Sequence, residues 1–418
     1  MRKLSATVCL LVSFGCASDA LLLSSAVAAA AHPPFRLAEG AALSGASGAR
    51  GDWPVTSVPL STPALRISGD GPPRGIFDPS LAALPGGVEV LSYSAVWATD
   101  NISSRLAVYN ASSSSWVLAA AVNVAAVNVS LPCAGGAPCQ GSLIHEVSSV
   151  VAAPAGASGG AALRVFCHTY AVTGGDQLHY DWGHIAMYES PSPAGPWSGG
   201  PLLGWAGTSP LSTAGVATVL TGIPELADCL LFTEPGAAAD PAAPGRTLLA
   251  LGCASLPAGA PAAAVRIVLL ASGDAAAREW TFVSTLVDGA TDAARLGFAL
   301  PTLNAADLFA VPAPAGGADA LFLIASPSAV IGPALSGYCG CLVLAVVDSG
   351  TGGVARNASG APVVAREIAP GAPAFAGACT AAHADAAGQG FLLPVLESLG
   401  AFFTILPSGA PAGGAGEQ

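Results

Sequence analysis

The sequence is poor in charge, and above all in positive charge. Only 10% of its 418 residues are charged, the formal net charge is -12, and Lys3 is the only lysine. A chain without a cluster of basic residues has no surface that would hold a phosphate backbone. The composition therefore argues against nucleic acid as a partner, although the acidic balance by itself selects no ligand.

Long apolar runs are missing after the first 30 residues. The hydrophobic fraction of 52% and the mean hydropathy of +0.61 are raised mainly by alanine. A membrane-spanning helix needs about 20 consecutive apolar residues, so a polytopic membrane protein is excluded. Short blocks of Leu, Val, Ile, Phe and Trp recur throughout the chain, which argues against intrinsic disorder.

Several catalytic motifs are also absent. The chain has no Gly-x-Ser-x-Gly elbow, no glycine-rich phosphate loop with lysine and no His-Glu-x-x-His. Cys339 and Cys341 are one residue apart, but no second cysteine or histidine pair has the spacing of a metal site. We therefore predict neither a metal nor an organic cofactor.

The first 30 residues have the layout of a signal peptide. A charged start at residues 1–3 precedes an apolar stretch from Val8 to Val27 and the small residues of 28–31. This predicts a secreted protein with no membrane contact after the leader is cleaved. The alternatives are an uncleaved anchor and a lipoprotein anchor on Cys16.

Cysteines and glycosylation sequons agree with export. Without residues 1–30 an even number of cysteines remains: Cys133, Cys139, Cys167, Cys229, Cys253, Cys339, Cys341 and Cys379. An even number in an exported chain predicts disulfides, and a bridge from Cys133 to Cys139 across a short turn is the first expectation. The Asn-x-Ser sequons, which favour a eukaryotic secretory route and a glycoprotein, begin at Asn101, Asn110, Asn128 and Asn357.

The rest of the chain reads as one β domain. Residues 31–64 form an Ala/Gly/Pro-rich lead-in and residues 408–418 a disordered tail. Over residues 65–407, apolar blocks alternate with Gly- and Pro-containing turns, and almost no helical period is present. Blocks of this kind predict strands, so the fold class is all-β.

The strands recur in five groups. The groups open with polar or acidic residues near 77–80, 145–146, 225–228, 304–307 and 380–385. Repetition of a four-stranded unit at roughly 70–80 residues predicts a five-bladed β-propeller of four-stranded antiparallel blades. A pair of β-sandwiches is the rival fold, but it does not explain why polar residues stand before the first strand of each unit.

Three stretches resemble parts of a known family. They are Ile76–Ser80 followed by Val88–Tyr93, Tyr188–Ser190 followed by Ala194–Trp197, and Ala271–Asp274 followed by Glu279–Trp280. Together they resemble the five-bladed propeller glycoside hydrolases, which include arabinanases and β-xylosidases and, more distantly, invertases and levansucrases. The resemblance extends over about residues 65–407 as a repeat pattern.

The resemblance implies inverting hydrolysis of a glycosidic bond in a polysaccharide or oligosaccharide by carboxylates in the central channel. Asp78 matches the general base. Glu146 opens blade two, and Asp228 or Glu225 would tune a pKa from blade three. The general acid is expected as a glutamate at the start of blade four.

Blade four departs from that pattern. It offers Asn304 and Asp307 and no glutamate. Glu234 is predicted at the turn that closes the first strand of blade three, away from the channel, and becomes the acid candidate only if the strand register is shifted. Without an acid, the chain would be a non-catalytic carbohydrate-binding or structural extracellular propeller.

One loop adds candidate substrate-binding residues. The segment 174–184 joins the second and third strands of blade two, and such loops lie on the channel face. Its aromatic rings could stack on sugars, and its polar groups could bind hydroxyls. The candidates are His179, Tyr180, Asp181, Trp182 and His184; the alternative is that the loop only plugs the propeller. We expect a monomer with a plant- or alga-type carbohydrate as its partner.

Overall fold

The structure is a computed structural model of the chain. It describes residues 53–408 with the exception of short internal segments. Those segments are 133–136, 175–176, 208, 256–263, 299–301, 312–319, 332–333, 347–352, 372–374, 382–389 and 398–401. The predicted leader, most of the predicted lead-in and residues 409–418 lie outside the described residues.

Most described residues belong to strands. Two short strands come first: β1 (Val55–Val58) and β2 (Ile67–Ser68). Blade one follows with β3 (Ile76–Leu84), β4 (Val88–Ala98), β5 (Asn101–Asn110) and β6 (Ser115–Ala121). Blade two comprises β7 (Ala126–Pro132), β8 (Pro138–Ala152), β9 (Leu163–Thr173), β10 (Gln177–Ser190), β11 (Ser198–Gly204) and β12 (Thr218–Val219).

The second half of the chain supplies the other three sheets. Blade three comprises β13 (Cys229–Ala239), β14 (Thr247–Ser255), β15 (Ala264–Ser272) and β16 (Trp280–Asp288). Blade four comprises β17 (Thr302–Val311), β18 (Ala320–Ile331), β19 (Ala334–Tyr338), β20 (Cys341–Val346) and β21 (Val364–Pro370). Blade five comprises β22 (Phe375–Ala376), β23 (Thr380–Ala381), β24 (Phe391–Glu397) and β25 (Phe402–Ser408). Helical segments are short: α1 (Gly289–Arg295) and 3₁₀ turns at Ser158–Gly160, Pro210–Ser212, Leu220–Gly222 and Pro224–Leu226.

The five innermost strands close a ring. β3 contacts β8, β8 contacts β13, β13 contacts β17, β17 contacts β23, and β23 contacts β3 again. This closure confirms the all-β, five-bladed propeller. The number of strands per sheet is less uniform than predicted, since the sheet of blade one has five strands and the sheets of blades two and four have six.

Burial between neighbouring blades explains why Ala and short aliphatic residues are so frequent. All nine residues of β14 are buried, because the strand packs against adjacent blades on both of its faces. Such a strand needs a continuous apolar run instead of an alternating one. Some of the alanines that raise the mean hydropathy therefore pack in the core between blades, and others lie in loops.

An extra residue interrupts the innermost strands at one recurrent position. The register of β3, β8, β13 and β17 shifts where each passes this point. Non-glycine residues with left-handed φ angles of 48° to 56° lie here: Asp78, Val147, Glu234, Ala305 and, in blade five, Ala378. A β-bulge of this kind bends a strand and redirects its side chains. The predicted polar openings thus lie inside the innermost strands, at the bulge.

Segments from the start of the described chain complete the outer edges. β1 pairs in parallel with β21 of blade four, and β2 pairs in parallel with β6 of blade one. β1 lies within the stretch predicted as a lead-in. By pairing with β21, this strand covers the edge of the blade-four sheet and protects the unpaired backbone groups there.

Disulfides connect strands near the inner ring. Cys229 is bonded to Cys253 within blade three, and Cys341 is bonded to Cys379, which joins blade four to the bulge of blade five. Cys139 is also disulfide-bonded, but Cys133 lies outside the described residues and the predicted pairing stays a prediction. Among the described residues, no helix has the length and apolarity to cross a membrane.

Candidate active site

Three acidic side chains from three consecutive blades converge at the recurrent bulge. Asp78 and Glu234 occupy equivalent positions in blades one and three, and Glu146 stands one residue before the bulge residue of blade two. Asp78 is 2% exposed and Glu234 is 8% exposed. The charges of Glu146 and Glu234 both act on Asp78, which shows that the three carboxyl groups form one electrostatic cluster.

Asp78 has one oxygen held by neighbours and one oxygen without a partner. The Ser94 hydroxyl donates to its Oδ2 at 3.0 Å, and the backbone N–H of Val147 donates to the same oxygen at 3.2 Å. Its Oδ1 is buried and has no hydrogen-bond partner among the described residues. Such an oxygen is the natural acceptor for a water or hydroxyl of a ligand, because an unpaired buried acceptor is costly.

Glu146 and Glu234 each accept a hydrogen bond from a tyrosine. Tyr170, on the second strand of blade two, donates its hydroxyl proton to Oε2 of Glu146. Tyr338, on the additional strand β19 of blade four, donates to Oε1 of Glu234 at 3.2 Å. Both phenols are buried.

Burial raises the pKa of all three carboxyl groups, and repulsion between carboxylates adds to it for Asp78 and Glu234. Desolvation is the largest cause for each, and the charge of Glu146 adds to it for both Asp78 and Glu234. The pKa of Glu234 rises to about 8, so this group is mainly protonated at neutral pH. Three like charges in one desolvated cluster cannot all ionise together.

The neighbouring histidine is held neutral. His168 is fully buried, and desolvation lowers its pKa to about 3. Its Nε2–H donates to the backbone oxygen of Tyr180 at 3.1 Å, which leaves Nδ1 to accept from the Thr233 hydroxyl at 3.1 Å. His168 therefore connects the strand that carries Glu234 to the hairpin of blade two without adding a charge.

The predicted substrate-binding residues divide between the cluster and its surroundings. The Tyr180 ring lies 4.7 Å from that of Tyr170, centroid to centroid, and Tyr170 itself donates to Glu146. His179 and Trp182 instead stack on each other at 3.8 Å. His184 is buried and donates from Nδ1 to the carbonyl of Leu211 at 3.2 Å.

Asp181 takes part in the hairpin through its backbone. Its carbonyl accepts from the Ser212 hydroxyl at 2.8 Å and from Nε1 of Trp205 at 3.3 Å. The hairpin is thus tied to the segment between β11 and β12. The prediction that these residues bind substrate remains a prediction, and Tyr180 has the best position for it.

The structure moves the blade-three candidate from Asp228 to Glu234. Asp228 precedes β13, is exposed, and pairs with Arg266, whose Nη1 donates to its Oδ2 at 3.0 Å. The hydrogen bonds and charge of Arg266 lower its pKa. Glu234 lies in the middle of β13 and not at a closing turn, so the strand reading that placed it away from the channel was shifted.

Sequence reasoning missed most of the groups that surround the carboxylates. Neither Tyr170 nor Tyr338 is among the candidate residues predicted from the sequence. The scarcity of tyrosine was the available signal, since the chain has only six tyrosines and Tyr170, Tyr180 and Tyr338 all reach the cluster.

Among the residues the structure describes, no three His, Cys, Asp or Glu side chains are placed to hold a metal ion. A surface cleft of about 440 Å³ lies at the edge of blade four, where Trp53, Arg295 and Asn357 contribute to its walls. It does not include the carboxylates.

No family profile matches the sequence, and no curated protein sequence matches it. Solved structures do show similarity. A thermostable family-43 glycoside hydrolase is 11% identical, with 83% of this chain and 92% of that chain covered and a TM-score of 0.45. The exo-inulinase from Aspergillus awamori is 11% identical, with 84% and 63% covered and a TM-score of 0.48. The α-L-arabinofuranosidase from Podospora anserina is 10% identical, with 87% and 100% covered and a TM-score of 0.43.

The five-bladed architecture rests on the ring of innermost strands and on none of these similarities. The chain spans less than two thirds of the exo-inulinase chain.

Proposed function

We propose that the protein is a secreted glycoside hydrolase that cleaves a glycosidic bond of a carbohydrate with inversion. Asp78 is the general base, Glu234 is the general acid, and the charge of Glu146 raises the pKa of both. The observation that carries the proposal is the convergence of three carboxyl groups, one of them with a pKa of about 8, in the ring of a propeller. Glycosidic cleavage needs one protonated and one ionised carboxyl group.

The environments of the two groups support these roles. Glu234 accepts one hydrogen bond and keeps its proton near neutral pH. Asp78 accepts two on one oxygen, which stabilise its ionised form against desolvation. Once Asp78 is ionised, its unpartnered Oδ1 would accept the proton of an attacking water.

Inversion is supported by where the two groups are attached. The innermost strands of blades one and three are separated by β8 of blade two, which contacts both. An inverting pair stands roughly 6.5–9.5 Å apart so that water fits beside the sugar. Placement on blades that are not neighbours is suited to such a gap.

Export is supported by the disulfides. Cys229–Cys253 and Cys341–Cys379 are bonds typical of an oxidising compartment, and they agree with the leader predicted for residues 1–30. Asn110 and Asn357 are exposed, and in each case the amide oxygen accepts from the hydroxyl of the serine two residues later. Because each asparagine is exposed and in contact with the serine of its own sequon, we propose these two sequons as the glycosylated ones.

The test is hydrolysis of a panel of arabinan, xylan and fructan, followed by release of reducing ends. We expect wild-type protein to cleave at least one glycan, and Asp78→Asn and Glu234→Gln to lose about 10²–10⁴ of that rate. Asp274→Asn, which changes an exposed turn carboxylate, is the matched control. Equal rates in all four proteins would refute the assignment.

A non-catalytic carbohydrate-binding propeller is the second candidate. The depth of Asp78 and Glu234 favours it, because a glycan needs access to both. In that case a glycan array would show binding, and no glycan of the panel would be cleaved.

A further inference from the structure

Tyr338 reaches the site from outside the regular blade pattern. The path of blade four runs through β17, β18, β20 and β21, and β19 pairs with β18 beside that path. Tyr338 is the last residue of β19, and its side chain is buried. The phenol is therefore delivered by an additional hairpin and not by a strand that the propeller needs for closure.

Three blades fix the position of this phenol. Its hydroxyl donates to Oε1 of Glu234 in blade three at 3.2 Å and accepts from Nδ2 of Asn304 in blade four at 3.3 Å. In blade five, Gly377 packs directly on the ring, where a Cβ atom would overlap it. Asn304 itself fits because Gly252 of blade three has no side chain at that point.

The direction of these hydrogen bonds has a chemical consequence. A tyrosine hydroxyl has one proton, and a side-chain amide Nδ2 can only donate. With Asn304 donating to it, the hydroxyl directs its own proton at Oε1 of Glu234. In a neutral carboxyl group the oxygen that accepts is the carbonyl oxygen, so the acidic proton of Glu234 resides on Oε2.

We propose that Tyr338, held by Asn304, is a positioning residue that occupies Oε1 of Glu234 and presents the proton on Oε2 to the leaving oxygen of the substrate. This role rests on the proposed glycosidase function, because only that function supplies a substrate with a leaving oxygen. It concerns the orientation of the acid and not the chemistry of the bond. Tyr170 differs, since it lies on a regular blade strand and donates to Glu146.

The groups that face Glu234 define what a substitution would do to its titration. They are Glu146 of blade two, Asp78 of blade one and Tyr338, while His168 stays neutral behind Thr233. Desolvation and Glu146 raise the pKa of Glu234, and the hydrogen bond from Tyr338 opposes them. Removal of the phenol hydroxyl is therefore expected to raise this pKa further.

The experiment is a carbon-13 NMR titration of protein labelled at the carboxyl carbon of glutamate. The chain has ten glutamates, and the Glu234 signal is assigned by its loss in Glu234→Gln. We expect the Glu234 midpoint to move up by about one pH unit in Tyr338→Phe, the size of one hydrogen bond to an ionisable group. Asn304→Ala should move it in the same direction by less, and provides the test if Tyr338→Phe does not fold. Tyr109→Phe, on the outer part of blade one, should leave the midpoint unchanged.

The pH profile of kcat/KM is the second readout. The alkaline limb should shift upward with the NMR midpoint in Tyr338→Phe, and kcat should fall more than KM changes. An unchanged midpoint in Tyr338→Phe and Asn304→Ala overturns the positioning role even if glycans are cleaved. A shifted midpoint in a protein that cleaves no glycan supports the contact with Glu234 and refutes the glycosidase function instead.

Discussion

The acidic cluster should reduce the stability of the fold above acid pH, and Glu234→Gln should recover that loss. The pKa of Glu234 is raised from its ordinary 4.5 to about 8. Between these values the folded protein keeps a proton that the unfolded chain has released. Stability is therefore fully present below about pH 4.5 and falls as the pH rises toward 8.

The difference between the folded and unfolded pKa values of Glu234 sets the size of the destabilisation. At ~1.4 kcal/mol per pH unit it corresponds to an upper limit of about 5 kcal/mol of unfolding free energy. Gln has the shape of a protonated glutamate and cannot ionise. Because Glu146 contributes to the raised pKa and can relax, we expect a gain of about 2 kcal/mol or more for Glu234→Gln at pH 9, and a negligible change at pH 4.

Denaturant unfolding of both proteins at pH 4, 7 and 9 measures this difference. Glu279→Gln is the matched control, because Glu279 is exposed. The unfolding free energy of this variant should follow that of wild type at all three pH values. A constant difference between wild type and Glu234→Gln at all three pH values would refute the reasoning, since it would show that Glu234 titrates in the folded protein as it does in the unfolded chain.

Three further predictions concern other parts of the molecule. Replacement of Cys341 and Cys379 by serine should lower the unfolding free energy by about 4 kcal/mol, because the disulfide no longer closes a loop of 38 residues in the unfolded chain. Denaturant unfolding of wild type and the variant measures this difference, which should vanish under reducing conditions. The pKa of His168 is lowered to about 3 by burial, so its contribution is present above about pH 6.5 and is lost as the pH falls toward 3; His168→Gln should flatten the acid side of the stability curve, and an unchanged slope would contradict this. Protein secreted from a eukaryotic host should carry glycans at Asn110 and Asn357, which peptide mapping after enzymatic deglycosylation in heavy-oxygen water detects, and empty sites there would contradict the export route.

The sequence was sufficient to predict the fold class because short apolar blocks between Gly- and Pro-rich turns recur five times. For the same reason it predicted Asp78 and Glu146 at the openings of blades one and two, whereas the structure has them inside the innermost strands. Strand bounds were harder, because blade three begins with two 3₁₀ turns that end near Asp228. An acidic residue before a strand and one inside it are indistinguishable in a pattern of apolar blocks, so Glu234 was assigned to a turn.

The role of Tyr338 could not be predicted because its position depends on tertiary packing. Tyr338 follows a hairpin that no repeat unit requires, and its place is decided by the absence of side chains at Gly252 and Gly377. Glycines in this chain are so frequent, at 51, that these two carry no distinct signal. The bulge was equally hidden, since Val147 and Ala305 adopt left-handed φ angles that their residue types do not indicate.

The division of roles between Asp78 and Glu234 is tested most directly by the leaving-group dependence of hydrolysis. The measurement compares the glycan that wild-type protein cleaves best in the panel with the 2,4-dinitrophenyl glycoside of the same sugar, whose leaving group needs no proton. Glu234→Gln should lose about 10²–10⁴ in rate on the glycan and little on the dinitrophenyl glycoside, whereas Asp78→Asn should lose activity on both. Equal losses on both substrates for Glu234→Gln, or full activity of Asp78→Asn on either, would contradict the account.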